Sequence, residues 1–437
     1  MFLYDELKLR ADENNPVKVG LIGAGKFGSM FLSQVPTTPG LEVTVIADIQ
    51  PQRAIDACRH VGWDDELIAR TTFVDNSDDL FVSAAMDVVV EATGNPLVGI
   101  SHAMEAIRNG IHIIMVNVEA DVLAGPLLAK KARQAGVVYS MAYGDQPALT
   151  CELVEWARAS GFDVVAAGKG TRYLPEYHKS TPDTVWDHYG LSREQASKAN
   201  MNSQMFNSFL DGTKSALEMA AIANATGLTA PPDGLGFPPA GMDDLAHTLR
   251  PASEGGQLHH KGQVEVVSSL ERDGRPVSKD LRWGVYVVIE APNDYAADCF
   301  RQYGMNTDSS GRYSAMYKPF HLIGLELNTS ILSAALLGKP TGSTNDFKAD
   351  VVAVSKRNLK SGERLDGEGG STVWGKLLPS DTSLEIGGLP IGLAHNVRLK
   401  TDISEGQVVR WKDVDIDSTL DAVKIRQEME APYRSPI

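Results

Sequence analysis

The sequence predicts an α/β protein of three consecutive parts: residues 1–150 as a parallel sheet covered by helices, residues 151–345 as an α+β domain, and residues 346–437 as a small β-rich domain. Three observations support this prediction. The first part alternates strand-like and helix-like runs, the middle part loses that rhythm, and the composition changes again at the stretch GKPTGSTNDF. A chain of 437 residues also exceeds one ordinary hydrophobic core, which favours several domains.

The alternation in residues 1–150 is regular. Five β-branched runs end in small or polar residues: VKVGLIGAG, LEVTVIAD, MDVVVEATG, IHIIMVNV and GVVYSMAYG. Helical stretches such as RAIDACRHVG and GISHAMEAIRNG lie between them. Strands that alternate with helices in this way predict a parallel sheet with helices on both faces.

Beyond residue 150 the elements are more varied. The patterns predict a helix in PALTCELVEWARASG, a strand in DVVAAGKGTRY and one long helix over residues 192–226. Strands follow in QVEVVSSL and RWGVYVVIEA, and a further helix in LIGLELNTSILSAALLG. After the linker, short strand-like pieces such as DVVAVS and HNVRLKT are separated by Gly-rich turns, which is typical of a small β-rich module.

The amino-acid composition excludes some classes of function. A net charge of −15 argues against a nucleic-acid partner, because phosphate backbones need a basic surface, but it leaves room for a small anionic substrate. The three cysteines show no CxxC spacing, which indicates a reducing compartment. The opening MFLYDELKLR is charged, and no run approaches the ~18 apolar residues of a membrane helix. We therefore expect a cytoplasmic protein without a membrane partner.

VKVGLIGAGKFGSM holds Gly23, Gly25 and Gly28 in the pattern GxGxxG, after an apolar run and before a helical one. Such glycines permit a tight turn and the close approach of a pyrophosphate to a helix N-terminus, so the segment predicts a Rossmann site for NAD or NADP. Asp48 follows the second strand, where a carboxylate would bind the ribose 2′-hydroxyl of NAD. Arg53 could instead meet the 2′-phosphate of NADP or lie in solvent, and the residues alone leave this choice open.

The chain resembles homoserine dehydrogenase-like proteins in its dinucleotide domain. EATG, from Glu91 to Gly94, matches the family's loop beside the cofactor, and HIIMVNVEA matches the strand that ends in Asn-Lys. Asn117 is kept, whereas Val118 stands where the family has its catalytic Lys, which argues against homoserine as the substrate. The full set of residues predicted to bind the cofactor is Gly23, Gly25, Lys26, Phe27, Gly28, Asp48, Arg53, Glu91, Ala92, Thr93, Gly94 and Asn117.

Polar residues recur in NSFLDGTKSALEM as Asn207, Asp211, Lys214 and Glu218, at offsets of 0, 4, 7 and 11. On one helix they would form a single face, here called the polar stripe. The stripe is narrow and flanked by apolar residues, so we expect it to line a cleft or to pair internally. Two carboxylates and an ammonium can move protons, and Asp211 and Glu218 are candidate ligands for Mg²⁺ or Mn²⁺. The alternative is a solvated strip with Lys214 and Glu218 as an i,i+4 pair.

Two further clusters hold candidate substrate residues. GKGTRYLPEYHKS places Lys169, Arg172 and His178 after a strand, which suits a phosphate or carboxylate, although a solvated loop explains the pattern equally well. YKPFHLIGLELN contains Lys318 and His321. The latter is predicted to begin a helix, and a lone His is more often structural than catalytic.

The C-terminal segment resembles a SAF domain, a β-clip module, in its LKSGERLDG turn and its DISEGQVVRWKDV ending. A homoserine dehydrogenase-like domain joined to a SAF domain, with FLDGTKSALEM and YKPFHLIGLE between them, is similar over the full length to the 1-deoxy-D-xylulose 5-phosphate reductoisomerase-like (DRL) family. The resemblance implies NADPH-dependent conversion of 1-deoxy-D-xylulose 5-phosphate to 2-C-methyl-D-erythritol 4-phosphate in isoprenoid precursor synthesis. It also implies a homodimer, inhibition by fosmidomycin and a divalent cation.

The same resemblance implies roles for the candidate residues. Asp145, Asp211 and Glu218 would hold the metal or act as acid and base, and Lys214 would stabilise enolate or alkoxide charge. Asp145, in AYGDQPAL, could alternatively cap the following helix. The remaining members of the predicted site are Asn207, Lys318 and His321 as catalytic residues and Lys169, Arg172 and His178 as phosphate ligands.

Two other functions stay open. One is a homoserine dehydrogenase-like oxidoreductase that acts on another polyol, sugar acid or hydroxy acid. The other is a non-catalytic nucleotide-sensing protein whose C-terminal module binds a partner. The second alternative predicts dinucleotide binding without turnover, together with a polar stripe that tolerates substitution.

Overall fold

A computed structural model describes residues 3–198 and 201–434, and the chain divides into two compact units. The first unit comprises Met1–Glu152 and His321–Asn345, and the second comprises Leu153–Phe320 and Asp346–Ile437. Residues 321–345, predicted as part of a central domain, therefore belong with the N-terminal part. Residues 346–437 share the second unit with residues 153–320, and their independence as a third domain stays a prediction.

The first unit contains a parallel sheet whose strands and helices alternate as the sequence predicts. Its strands are β1 Val17–Ile22, β2 Leu41–Ala47, β3 Thr72–Val74, β4 Val88–Glu91, β5 His112–Met115 and β6 Tyr139–Met141. The helices up to residue 159 are α1 Leu3–Asp12, α2 Lys26–Leu32, α3 Pro51–His60, α4 Asp65–Arg70, α5 Ser77–Ser83, α6 Pro96–Arg108, α7 Val118–Gln134 and α8 Gln146–Ala159. All pairings are parallel, in the order β3-β2-β1-β4-β5-β6, which is the doubly wound dinucleotide-binding order.

The second unit has a four-stranded mixed sheet in its residues 153–320. Its strands are β7 Asp163–Thr171, β8 Gln263–Ser268, β9 Val285–Glu290 and β10 Tyr313–Lys318, in the order β10-β9-β7-β8. Only the β7–β8 pairing is parallel. The next helices along the chain are α9 Val185–Tyr189, α10 Arg193–Lys198, α11 Ser203–Leu210, α12 Thr213–Thr226, α13 Leu245–Thr248, α14 Asp294–Gln302 and, back in the first unit, α15 Asn328–Leu337.

Residues 346–437 are rich in short strands. The strands are β11 Ala349–Ser355, β12 Arg364–Asp366, β13 Val373–Pro379, β14 His395–Leu399 and β15 Val414–Asp415, and the helices are α16 Ser380–Ile386 and α17 Asp421–Glu430. They form an antiparallel β11–β13 pair and a β12-β14-β15 sheet. Single 3₁₀ turns along the chain lie at Val35–Thr37, Pro175–Lys179, Ala252–Glu254, Ile391–Leu393, Trp411–Asp413 and Ala431–Tyr433.

Burial explains the sheet of the first unit. The strand β1 reads VKVGLI, and its consecutive residues Leu21 and Ile22, which point to opposite faces, are both buried, as are Val89 and Val90 of β4. Apolar residues on both faces are what a sheet covered by helices on both sides requires. Helix α15 packs on this core through Ile331, which is why residues 321–345 belong to the first unit.

The predicted α/β fold class, with a parallel N-terminal sheet and a β-rich C-terminal region, is confirmed. Across residues 3–198 and 201–434, no helix combines the length and the apolar character that crossing a membrane demands.

Candidate functional site

The loop between β1 and α2 carries three glycines that meet different requirements. A Cβ on Gly23, whose φ is 96°, would lie 2.9 Å from the Ala92 carbonyl oxygen, and a Cβ on Gly28 would lie 2.5 Å from the Gly23 carbonyl oxygen. Around the Cβ position of Gly25, in contrast, no atom lies within 4 Å. Gly23 and Gly28 therefore serve the turn and the close packing of strand and helix, while the space at Gly25 is open to a ligand, as a pyrophosphate-binding turn requires.

Asp48 and Arg53 form one ion pair beside this loop. The buried Asp48 carboxylate accepts hydrogen bonds from the N–H groups of Ala24, at 3.0 Å, and Gln50, at 2.9 Å. An Arg53 guanidinium nitrogen lies 2.8 Å from Asp48 Oδ2, and the Arg53 side chain is 54% exposed. The residue that would select NAD and the residue that would select NADP are therefore in contact, and the carboxylate charge is balanced by the arginine.

Glu91 of the EATG loop and Asn117 each have one buried polar atom without a partner in the part of the chain that the structure describes. Glu91, the last residue of β4, accepts through Oε1 from the Thr93 hydroxyl at 2.5 Å and lies 3.2 Å from His102 Nδ1. Its Oε2 and the Asn117 Nδ2 have no hydrogen-bond partner among the described residues. Both border Gly99, since a Cβ there would lie 3.3 Å from Glu91 Oε2 and 2.8 Å from Asn117 Nδ2. A buried acceptor and donor of this kind fit a polar ligand or an ordered water.

Topology brings the predicted cofactor residues to one edge of the sheet. The glycine loop follows β1, Asp48 follows β2, Glu91 ends β4, and Asn117 follows β5 and caps α7 by accepting from the Ala120 N–H at 3.1 Å. The carboxyl ends of parallel strands meet at a single edge, which is where such folds bind dinucleotides. The residues present therefore fit a nicotinamide dinucleotide.

Two predicted catalytic residues, Asp145 and His321, also lie in the first unit. Asp145 is buried and accepts through Oδ1 from the Gln146 N–H at 2.9 Å, at the start of α8. His321 does not begin a helix as predicted. It precedes a turn, and α15 starts at Asn328. Gly144 allows this segment to approach β6, because a Cβ on Gly144 would lie 2.8 Å from the Leu322 carbonyl oxygen.

In the second unit, the polar stripe does not lie on one helix. The prediction of a continuous helix over residues 192–226 is wrong, and residues 199 and 200 of that range lie outside the described residues. Asn207 belongs to α11, whereas Lys214 and Glu218 belong to α12. The chain breaks at Gly212, whose φ is 90°, and Asp211 Oδ1 accepts from the Thr213 N–H at 2.9 Å. The Asp-Gly pair thus ends one helix and starts the next.

Asp211 is neutralised by Lys356, a residue that the sequence analysis did not single out. Lys356 Nζ lies 2.7 Å from Asp211 Oδ2 and also donates to the carbonyl oxygens of Ser180, at 2.7 Å, and Gly370, at 2.6 Å. Both charged side chains are almost fully buried. Three short contacts satisfy all three N–H groups of the ammonium, so the pair acts as a buried clamp on the α11–α12 turn. The predicted catalytic role of Asp211 stays a prediction.

Asn207 is held in the same region by internal hydrogen bonds. Its Oδ1 accepts from the Ser180 hydroxyl at 2.7 Å, and its Nδ2 donates to the carbonyl oxygens of Ser180, at 3.1 Å, and Gly369, at 2.8 Å. The side chain is fully buried. These contacts account for its amide without a substrate, and its predicted catalytic role stays a prediction.

Lys169 and Glu218 form a second buried ion pair. Lys169 of β7 and Glu218 of α12 are both nearly inaccessible to solvent, and their charged groups are in direct contact. Asp211 and Glu218, the candidate metal ligands, are therefore each occupied by a lysine. Within residues 3–198 and 201–434 no group of three or more His, Cys, Asp or Glu side chains is arranged to hold a metal, so the donor set does not fit the predicted divalent cation.

His178 is also committed to internal contacts. Its Nδ1 lies 2.7 Å from the Asp211 backbone oxygen, which only accepts, so Nδ1 carries a proton and Nε2 accepts from the Tyr173 hydroxyl at 2.9 Å. The ring stacks on Trp374 at 3.8 Å between centroids. Burial lowers the pKa of His178, which favours the neutral ring. A neutral imidazole is a weak ligand for the predicted phosphate.

The remaining candidates lie at different places in the second unit. Arg172 directly follows β7 and is half-buried, Lys214 lies in the first turn of α12, and Lys318 ends β10. The sequence analysis did not single out Lys356 or Arg282. Lys356 directly follows the buried strand β11, and Arg282 comes shortly before β9, so an ionisable residue beside an apolar run was the signal that could have found them.

Two family models match the chain. Residues 17–142 match the model described as "Oxidoreductase family, NAD-binding Rossmann fold", and residues 144–327 match that described as "Oxidoreductase DRL, catalytic domain". None of the curated proteins matches the sequence. The N-terminal part is thus an NAD-binding Rossmann domain, and residues 144–327 are similar to the catalytic domain of an oxidoreductase.

Several solved structures are similar to parts of the chain, which spans about half the length of the first of them. Myo-inositol dehydrogenase from Lactobacillus casei, in complex with NAD(H) and myo-inositol, is 17% identical over 39% of this chain and 50% of its own, with a TM-score of 0.29. A probable dehydrogenase from Thermotoga maritima is 11% identical over 75% of this chain and 91% of its own, with a TM-score of 0.40. Levoglucosan dehydrogenase, in complex with NADH and levoglucosan, is 15% identical over 69% and 66%, with a TM-score of 0.33. Likenesses at this level carry no conclusion about substrate or assembly.

Proposed function

We propose that this oxidoreductase transfers a hydride between a nicotinamide dinucleotide, bound at the carboxyl edge of β1, β2, β4 and β5, and the carbonyl or hydroxyl carbon of a small polar substrate. Polyols, sugar acids and hydroxy acids are the proposed substrate class. The observation that carries the proposal is the open space at Gly25, between two glycines whose own Cβ positions are filled by backbone. The dinucleotide supplies the hydride, and the protein supplies binding and orientation.

We further propose that the cofactor is NADPH. Arg53 balances the charge of Asp48, which removes the repulsion that a bare carboxylate would exert on a 2′-phosphate. Its guanidinium is about half exposed and has N–H groups to spare for a phosphate, which arginine binds in a bidentate manner. The Asp48 carboxylate keeps its two backbone N–H donors if Arg53 turns towards the cofactor.

Glu91 and Asn117 are proposed to position the polar groups of the cofactor. Each presents one buried atom without a partner at the carboxyl edge of the sheet, an acceptor in Glu91 and a donor in Asn117. His102 and Thr93 hold the other carboxylate oxygen of Glu91 in place. A fixed acceptor and a fixed donor side by side orient a ligand more strictly than either does alone.

Proton transfer to the substrate oxygen needs an ionisable group. Asp145, Lys214, Lys318 and His321 remain the proposed candidates. Asp211 is not needed for this role, because its carboxylate is already neutralised by a lysine. No step is assigned to a metal, since the carboxylates predicted as its ligands do not fit one.

The reductoisomerase reaction on 1-deoxy-D-xylulose 5-phosphate is the narrower candidate. It rests on the resemblance to the DRL family, because the DRL catalytic domain that residues 144–327 match is described without a substrate. Supplying this substrate with NADPH and identifying the product separates the two proposals, because a polyol or hydroxy-acid dehydrogenase forms no 2-C-methyl-D-erythritol 4-phosphate. The same resemblance also predicts a SAF module, a homodimer and inhibition by fosmidomycin. These three predictions can be tested on the same purified protein.

The proposal is tested by Gly25→Ala. The Gly25 backbone, at φ −73°, accepts alanine without strain, and the added methyl group meets no protein atom within 4 Å. The variant should therefore fold normally but lose at least about tenfold in NADPH affinity, equal to ~1.4 kcal/mol, because the methyl group fills the space for the pyrophosphate. NADPH fluorescence titration measures the affinity, and thermal unfolding checks the fold.

Gly110→Ala is the matched control. Gly110 also has open space at its Cβ position but precedes β5 at the opposite edge of the sheet. Its φ of 69° makes alanine cost about 1–2 kcal/mol of stability, with NADPH affinity unchanged. Wild-type affinity in the Gly25 variant would refute the cofactor site. Tight NADPH binding without turnover of any polyol, sugar acid, hydroxy acid or phosphorylated ketose would refute the enzymatic function and favour a nucleotide sensor.

A further inference from the structure

Two arginines of the second unit are partly buried and lack an anionic partner. Arg172 and Arg282 are both half-buried, and neither guanidinium forms an ion pair with a carboxylate of the described residues. The Nε of Arg172 is fully buried and has no hydrogen-bond partner there. Other withdrawn arginines of this unit are paired, such as Arg250 with Asp308 and Arg426 with Asp350. Leaving a charged donor partly withdrawn from water and unpaired is costly, which makes such groups candidates for ligand binding.

The local backbone brings these two residues together. Arg172 follows the last residue of β7, and Arg282 lies in the turn before β9. Gly170 permits the close approach, because a Cβ there would lie 2.0 Å from the Leu281 carbonyl oxygen and 2.9 Å from the Arg282 nitrogen. The Gly170 N–H donates to the Gly284 carbonyl oxygen at 3.0 Å. Any larger residue at Gly170 would separate the end of β7 from this turn.

The charges of both guanidinium groups influence the same aromatic side chain, that of Tyr189. The Arg282 guanidinium carbon lies 6.0 Å from the ring centre of Tyr189, the last residue of α9, and 4.6 Å from that of Trp283. Burial raises the pKa of Tyr189, and the charges of Arg282 and Arg172 act in the opposite direction. The Asp280 carboxylate, two residues earlier in the chain, accepts from the Arg282 backbone N–H at 2.8 Å and forms no ion pair with the guanidinium.

We propose that Arg172 and Arg282 form an anion subsite that binds the phosphate or carboxylate group of the substrate, with Tyr189 and Trp283 as its apolar wall. This deepens the proposed function, on which it rests, because it selects anionic members of the substrate class. In this proposal Lys169 and His178, the other predicted phosphate ligands, do not bind the anion. Lys169 is paired with Glu218, and His178 is held by two internal hydrogen bonds. Two arginines suit this task because guanidinium groups bind phosphate and carboxylate oxygens in pairs. In a chain with net charge −15, two cations that pair with no carboxylate of residues 3–198 and 201–434 provide the local attraction that an anionic substrate needs.

The test uses the full-length protein and anions of defined chemistry. Inorganic phosphate, and glycerate as a small carboxylate, are titrated by calorimetry at constant ionic strength, with chloride as the reference. Arg172→Gln and Arg282→Gln are compared with Arg275→Gln, an exposed arginine of the same unit paired with Asp273. We expect saturable binding of at least one anion by wild type and by the Arg275 variant, and about tenfold or greater weakening in each of the other two variants.

The outcomes are separable from those of the proposed function. Preference for phosphate or for glycerate identifies the anionic group. Wild-type protein that binds neither ion beyond the chloride reference overturns the subsite, and so does equal binding by all three variants. NADPH titration in the same variants reports on the first unit. If NADPH binds and a substrate turns over with unchanged KM in the Arg172 and Arg282 variants, the subsite is wrong while the oxidoreductase function stands. If anion binding follows the arginines but no hydride transfer occurs, the subsite stands and the function fails.

Discussion

Replacing Lys356 by Met removes the charge that neutralises Asp211 inside the second unit. The ammonium makes three contacts of 2.6 to 2.7 Å, to Asp211 Oδ2 and to the carbonyl oxygens of Ser180 and Gly370, and both charged side chains are almost fully buried. Breaking a buried ion pair on one side leaves an uncompensated charge and costs about 3–5 kcal/mol. At about 2 °C per kcal/mol for a unit of this size, Lys356→Met should lower the apparent Tm by about 6–10 °C.

Thermal unfolding followed by circular dichroism, with urea unfolding in parallel, measures this loss. Lys360→Met is the control, because Lys360 pairs with Asp402 on the exposed surface, where such pairs contribute little. The double variant Lys356→Met with Asp211→Asn should regain part of the loss, since it leaves no buried charge. A fall in the apparent Tm of less than about 2 °C would refute the clamp. A normal Tm with greatly reduced turnover in Asp211→Asn would instead restore Asp211 to the catalytic residues.

Two further predictions concern the first unit. Arg53→Gln should weaken NADPH binding about tenfold by removing a charged donor from the 2′-phosphate, while NADH affinity changes by less than about twofold. Fluorescence titration with both dinucleotides decides this, and an equal loss for both would contradict the role of Arg53. Burial raises the pKa of Asp121 from 3.8 to about 6. Between these two pH values the folded protein keeps a proton on Asp121 that the unfolded chain releases. The free energy of unfolding therefore falls as the pH rises from about 4 to about 6, by up to ~3 kcal/mol. Asp121→Asn, which keeps an acceptor for the hydroxyls of Tyr139 and Thr344, should flatten the pH dependence of Tm over that window, and an unchanged slope would contradict this origin.

The dinucleotide site shows how far local pattern reaches. Gly23, Gly25 and Gly28 were predicted from the sequence because a tight turn between a strand and a helix requires glycine at positions that are close together along the chain. Asp48 was predicted because it directly follows the second strand, and Asn117 was predicted from the family resemblance of HIIMVNVEA. Both lie at the same edge of the sheet, because parallel strands bring their carboxyl ends together there. The strand order that unites them was not visible in any single motif, but the alternation of strand and helix restricts it strongly.

The polar stripe shows where local pattern fails. The apolar periodicity continues across Asp211 and Gly212, so it predicted one helix, although an Asp-Gly pair is also a turn signal. The chain instead forms a turn here, which is stabilised by the left-handed backbone of Gly212 and by the hydrogen bond from the Thr213 N–H to the Asp211 carboxylate. Whether Asp211 meets a metal, a substrate or a lysine depended on Lys356, which is 145 positions away in the sequence.

The sequence by itself determined the fold class, the glycine turn predicted to receive a pyrophosphate and the edge of the sheet where the predicted cofactor residues gather, because these features depend on periodicity and on neighbours along the chain. Tertiary structure alone decided which charges are compensated. It paired Lys169 with Glu218 and Asp211 with Lys356, and it left Arg172 and Arg282 without a carboxylate partner among the described residues. The physical reason is that the energy of a buried charge is set by the groups within a few ångströms of it, and folding brings these groups from distant parts of the chain.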